Sequence, residues 1–214
     1  MACMTTTDLK PGTDAEAVEF LDLVGGRQGH FVLESGHHSR LWLDLECLFA
    51  DPRQIEPFVS RLTDAIRPYE VSGVCGPLLG GGFLAHVLAQ RLGVEFSFAE
   101  REMPEEARGL YPARYRIPAG LAARVAGKRL AIVDDVLSAG SALRSTYADL
   151  QAHGATCVVA GALLVLGSTG AGFFAGEGIA VEATARQDLE LWEPVRCPLC
   201  AAGIPLEDMA AAAR

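Results

Sequence analysis

The sequence predicts an α/β fold built on a parallel sheet, and three features carry that reading. Short apolar runs ending in turn residues alternate with segments of helical spacing, the pattern of strands joined by crossover helices. One run, Leu130 to Val133, meets two adjacent acids, Asp134 and Asp135, then the small-residue turn Ser138-Ala139-Gly140-Ser141. A helical pattern follows, with Leu143, Tyr147 and Leu150 at i, i+4 and i+7. A second glycine-rich turn, Gly76-Pro77-Leu78-Leu79-Gly80-Gly81-Gly82-Phe83, also lies between an expected strand and an expected helix. Backbone N–H groups in such turns, backed by the positive end of a helix, make anion sites suited to phosphate. Carboxylates at the strand end can accept hydrogen bonds from vicinal sugar hydroxyls. Residues 129–144 therefore read as a cradle for a ribose 5-phosphate.

The elements follow in order. Asp14 to Val24 has helical spacing, and Phe31–Leu33 and Leu41–Leu45 read as short strands around the turn Ser35-Gly36-His37-His38-Ser39. Gln54 to Arg67 reads as a helix, Val71 to Gly76 as a strand, Gly82 to Leu92 as a helix and Glu95 to Ala99 as a strand. Residues 100–120, rich in charge, proline and glycine, read as a mobile loop with a short extended piece, Ala113 to Ile117. The acid-bearing strand comes next. Ser141 is its helix's expected N-cap, the helix runs over Ala142 to His153, and a strand follows from Cys157 to Leu166. The tail, with Trp192 and its prolines, is expected to fold back over the sheet. Trp42 and Leu43 alternate on a strand, so one is expected to line a pocket and the other the core.

Composition narrows the function. With 214 residues, half of them hydrophobic, one domain can bury a real core and no repeat or linker divides the chain. A net charge of −9 argues against a nucleic-acid surface. No apolar stretch reaches membrane-spanning length, and Met1 to Lys10 lacks a secretory pattern, so the expected compartment is the cytoplasm. An acidic protein that binds a polyanion needs a cation beside it, and Mg²⁺ suits phosphate oxygens. Disulfides are not expected there, and Cys75 and Cys157 read as small buried side chains. Cys197-Pro198-Leu199-Cys200 has the spacing of half a zinc site. Closing a tetrahedral site would take two further ligands, as from a second subunit, and the pair reads as structural filler. His37 and His38, adjacent in a turn, read as surface or substrate-pocket residues.

The strand, acid pair, small-residue loop and helix resemble the phosphoribosyl-diphosphate (PRPP) signature of the type I phosphoribosyltransferases. Gly29-His30-Phe31-Val32-Leu33-Glu34-Ser35-Gly36-His37-His38-Ser39 is similar to the N-terminal segment of the orotate phosphoribosyltransferases. Phe98-Ala99-Glu100-Arg101 resembles the start of their flexible active-site loop, and Cys197 to Glu207 the end of some members. The matches run from about residue 20 to residue 207. The resemblance implies a type I phosphoribosyltransferase fold in one domain, 1–214. A parallel sheet flanked by helices would occupy about 54–168, and a small hood would come from N- and C-terminal segments, about 14–50 and 170–207.

It also implies Mg²⁺-dependent transfer to a nucleobase, orotate above all, with diphosphate released, in a homodimer. Asp134 and Asp135 would hold the ribose and, through PRPP, the metal. Val136, Leu137, Ser138, Ala139, Gly140, Ser141 and Ala142 would form the 5-phosphate loop. Leu79, Gly80 and Gly81 would cradle the diphosphate, with Arg101 and Arg108 neutralising it. Trp42, Leu43, Ser138 and Gly167 would meet the base. Three departures stand out. Glu34 replaces a basic residue before Ser35-Gly36, residues 100–109 set two arginines against four glutamates, and Val165-Leu166-Gly167-Ser168 lacks the Asp-Arg pair that grips the orotate carboxylate. Arg40, Arg114 or Arg116 would have to supply that cation. Otherwise the chain would take another heterocycle or sense PRPP without turnover.

Overall fold

The computed structural model describes residues 14–45, 48–102 and 109–209. After helix α1 (Ala15–Val24), β1 (Gly26–Val32) and β2 (His38–Leu43) form an antiparallel hairpin that stands apart as a hood. The remaining strands are β3 (Gly73–Pro77), β4 (Glu95–Glu102), β5 (Arg114–Arg116), β6 (Arg129–Leu137), β7 (Thr156–Leu166) and β8 (Ala180–Gln187). They form one sheet in the order β5-β4-β3-β6-β7-β8, parallel throughout except at the β4–β5 edge. Helices α2 (Pro52–Ile66), α3 (Gly80–Leu92), α4 (Ala119–Val125), α5 (Ser141–Ala152) and α6 (Thr169–Gly176) connect them, and the short α7 (Pro198–Ala201) lies in the tail.

Both faces of the sheet are covered, which is why its strands are apolar on both sides. Ala131 and Val133 join Val74, Val159 and Leu163 beneath α1, α2 and α3. Their neighbours Leu130 and Ile132 face the other way, with Cys75, Ala160 and Ala162 beneath α5 and α6. Burial pushes the Cys75 and Cys157 thiols up to about 12, as expected of inert core cysteines. Asp14 caps α1 by accepting from the Ala17 amide at 3.0 Å, and Asp51 caps α2 by accepting from the Arg53 amide at 3.1 Å.

Several expectations are corrected. β6 does not stop at Val133 but runs through the acids to Leu137, because β7 offers a continuous ladder: Asp134 pairs with Ala162 and Val136 with Leu164. Ser141 is the first residue of α5 rather than its cap. Gly140, at φ 77°, takes the cap position, where the chain needs a left-handed backbone. α4 starts in the last two residues of the expected loop and runs on through a stretch assigned no element, and β4 extends into the expected loop as far as Glu102. β8 is the sixth strand of the main sheet although its residues fell to the hood, so the core extends to Gln187. The tail packs along the hood rather than over the sheet. Trp192 exchanges two backbone hydrogen bonds with His38, at 2.8 and 3.0 Å. The Glu207 amide donates to the His30 carbonyl at 2.7 Å, and the Val32 amide to the Glu207 carbonyl at 3.1 Å. No helix among the described residues is long and apolar enough to cross a membrane.

Candidate active site

The chain leaves β3 toward β4 on one side and β6 toward β7 on the other, so a crevice opens between the carboxyl ends of β3 and β6. Two turns meet there, Pro77 to Gly80 entering α3 and Ser138 to Ser141 entering α5. They border a cavity of about 290 Å³ lined by Leu79, Gly80, Asp134, Asp135, Val136, Ser138, Gly140, Ser141 and Ala142. The expected diphosphate loop, acid pair and phosphate loop are thus brought together. The exceptions are Leu137 and Ala139, with side chains buried in the core, and Gly81, buried within α3 behind Gly80. Arg108 lies outside the described residues.

Glycine is required where the two turns touch. A Cβ on Gly80 would overlap the Asp135 carboxylate, and one on Gly81 would lie 2.7 Å from Asp134 Oδ1. Each acid also accepts a backbone hydrogen bond just ahead of it, Asp134 Oδ1 from the Asp135 amide at 3.1 Å and Asp135 Oδ1 from the Val136 amide at 2.7 Å. Burial, then the neighbouring Asp135, pushes Asp134 well above the usual carboxylate range. Burial raises Asp135 as well.

Glu34 lies across the mouth of this cavity. Its carboxylate accepts from Ser141 Oγ at 3.0 Å and from the Tyr115 hydroxyl at 3.1 Å, and pairs with Arg101 Nε at 3.1 Å. Tyr115 stays protonated, its pKa driven up by burial first and then by Glu34. The acid that departs from the family pattern thus ties the phosphate loop to Arg101, one of the two arginines expected near the diphosphate. Tyr115 carried no local signal beyond its alternation with Arg114 and Arg116.

A second cavity of about 460 Å³ adjoins the first, sharing Leu33, Leu45, Val136 and Ser138. Trp42 and Leu43 both line it, as do Arg27, Leu41, Leu166, Leu189 and Met209, and Leu43 also packs against the core. Gly167 does not. It sits at φ 66°, and a side chain there would overlap the Leu189 carbonyl. The cations named as substitutes for the missing clamp are elsewhere. Arg40 is exposed on β2, and Arg114 and Arg116 border a separate groove with Asp149, where Arg116 is held by Glu102 at 2.8 Å. Arg27, overlooked in the sequence, is the cation at this cavity. Its guanidinium lies 5.8 Å from the centre of the Phe31 ring and donates to Met209 Sδ at 2.8 Å. His37 is buried against Tyr111, their rings 5.5 Å apart, and His38 is buried beside the tail; neither is a surface residue.

A parallel sheet covered on both faces, a separate two-stranded hood and two small-residue turns flanking an acid pair define a type I phosphoribosyltransferase. The solved orotate phosphoribosyltransferase of Aeropyrum pernix shares this fold, with a TM-score of 0.61 at 22% identity over 80% of this chain and 92% of that one. So does the adenine phosphoribosyltransferase of Trypanosoma brucei, with a TM-score of 0.62 at 15% identity over 88% and 86%. The orotate phosphoribosyltransferase of Thermotoga petrophila is 32% identical over 190 residues, spanning 88% of this chain and 94% of the relative. The chain belongs to the orotate phosphoribosyltransferase family. No protein-family model matches it.

Proposed function

We propose that the protein transfers the ribose 5-phosphate of PRPP to orotate, forming orotidine 5′-monophosphate and diphosphate. The observation that carries this reading is the pair of adjoining cavities: one joins an acid pair to two phosphate-suited turns, and the other joins Trp42 to the cation of Arg27. The base nitrogen forms a bond to the anomeric carbon as the bond to the diphosphate oxygen breaks, and positive charge develops on the ribose ring. Asp134 and Asp135 accept from the ribose hydroxyls and face that charge. The amides and hydroxyls of Ser138 to Ser141 hold the 5-phosphate. Leu79 and Gly80 present backbone to the leaving group, and Arg101 pairs with it once released from Glu34. Positioning and charge stabilisation, rather than proton transfer, carry the rate.

The two carboxylates of Asp134 and Asp135, side by side on the cavity wall, offer hard oxygen donors of the kind that fit Mg²⁺, which would be held largely through PRPP. A Mg²⁺ bound there would supply charge neutralisation for the departing diphosphate. The single domain 1–214 is read as a homodimer of the cytoplasm. The exposed apolar side chains of Leu79 and Phe83, at the start of α3, support the dimer.

Diphosphate release measured with PRPP, Mg²⁺ and a panel of bases tests the function. Orotate should be the preferred acceptor, and chelation of Mg²⁺ should weaken PRPP binding steeply in calorimetry. Preference for an uncharged base would move the protein to another heterocycle, and no release with any base would leave a PRPP sensor. Glu34→Gln should tighten PRPP binding several-fold, because it removes a carboxylate that competes for Ser141 and Arg101. Weaker binding by this variant would mean that Glu34 positions those groups for the ligand.

A further inference from the structure

We infer that His30, His38, Cys197 and Cys200 form a structural zinc site that clips the tail onto the hood. The four ligand atoms all lie within 4.8 Å of one another, and among the described residues no other cluster has metal-ligand spacing. His30 Nε2 lies 3.0 Å from His38 Nδ1, 3.4 Å from Cys197 Sγ and 3.7 Å from Cys200 Sγ, and Cys200 Sγ lies 3.3 Å from His38 Nδ1. A tetrahedral zinc with bonds of about 2.3 Å to sulfur and 2.0 Å to nitrogen requires ligand separations of about 3.3–3.8 Å. Those four separations need only tenths of an ångström of adjustment, and the two involving Cys197 with Cys200 and His38 stay within 4.8 Å. Two imidazoles and two thiolates in a tetrahedron select zinc over the harder cations.

The surroundings are those of a built site. His30 Nδ1 donates to the Ile204 carbonyl at 2.8 Å, which fixes the tautomer and turns the Nε2 lone pair toward the cluster. His30, His38 and Cys197 are buried while Cys200 is exposed, so the metal has an entry path and a dry interior. Each histidine is already held by backbone bonds to the tail, His38 to Trp192 and His30 to Glu207. Cys197 stands at the N-cap of α7 and Cys200 lies within its single turn, which keeps the two sulfurs close together. Binding releases the two thiol protons, and the proton that His38 Nδ1 would otherwise share with His30 moves to its other ring nitrogen. With four protein ligands no position is left for substrate, so the role is structural. The reading of Cys197 and Cys200 as filler is thereby replaced: the two missing ligands come from the hood hairpin of the same chain.

The full-length protein purified from zinc-supplemented cells without chelator tests this by elemental analysis and X-ray absorption. Stoichiometric zinc with two sulfur and two nitrogen neighbours is expected. Cobalt(II) added to the metal-free protein should give tetrahedral ligand-field bands with thiolate charge transfer. Cys200→Ser, at an exposed position, should lower zinc affinity at least tenfold, weaken that charge transfer and lower the melting temperature only when zinc is present. Zinc far below stoichiometry, an octahedral all-oxygen cobalt spectrum, or a Cys197–Cys200 disulfide in freshly purified protein would each overturn the site. Should Cys200→Ser fail to fold, the wild-type absorption spectrum alone decides.

Discussion

Replacing Asp134 and Asp135 together by asparagine is expected to lower turnover at least about 100-fold, roughly 3 kcal/mol of transition-state stabilisation, while making the protein more stable at neutral pH. The two effects share one origin. The acids are buried beside each other, and burial leads the causes that raise both. The folded state therefore holds protons more tightly than the unfolded chain, whose aspartates titrate near 3.8. Stability must fall as pH rises from that value through the raised folded-state values, and the full cost is present above them. Asparagine removes the charge and with it that slope. Melting temperature against pH for both proteins, beside steady-state rates, reads out the two halves. Near wild-type turnover would reject the acids as the ribose site, and a melting temperature below wild type at neutral pH would reject the electrostatic account.

Arg27→Ala should raise the KM for orotate by about 10- to 100-fold, the worth of one charge-assisted hydrogen bond of roughly 1.5–3 kcal/mol. The KM for PRPP should hardly move. Arg27 is the cation lining the cavity that contains Trp42 and Leu43, and orotate differs from uracil by the carboxylate such a cation would meet. Slow turnover of uracil should accordingly be indifferent to the change. Arg40→Ala, at an exposed position on β2, is the control expected to behave as wild type. An equal loss with both bases would mean that Arg27 supports the cavity wall through Phe31 and Met209 rather than binding charge.

The legible parts of the fold were those whose signal is local. The runs Leu130–Val133 and Cys157–Leu166 are apolar because both their faces are covered, and Leu143, Tyr147 and Leu150 are spaced for one helical face. β8 was missed because Ala-Val-Glu-Ala-Thr-Ala-Arg-Gln is an edge strand of mixed polarity; it pairs because β7 offers a free edge. α4 was missed because the seven residues Ala119–Val125 carry too little periodicity. At the site the same division holds. The acid pair and the two turns are contiguous strings and could be read directly. The Tyr115–Glu34–Ser141 bridge joins residues 26 to 107 positions apart, and Arg27 reaches the cavity only because the hairpin folds over it. No spacing rule reports such contacts. The loss of Gly167 from the base site has the same cause, since only the path of Leu189 shows that no side chain fits there.

The pairing of the tail with the hood also sets an order of events during synthesis. β1 and β2 are among the first strands to leave the ribosome, yet His38 finds Trp192, and His30 finds Glu207, only when the late residues emerge. At 5–20 residues per second that interval is roughly 8–30 s. In the meantime the sheet can assemble strand by strand as far as β8, because its β3–β4 and β6–β7–β8 pairings join neighbours in the chain. The wall of the base cavity carrying Trp42 is left without its seam until Trp192 and Glu207 emerge. Once Gln187 has emerged, and before Trp192 and Glu207 do, the chain would thus present a nearly finished sheet beneath an open hairpin, with Phe31 and Trp42 available to chaperones.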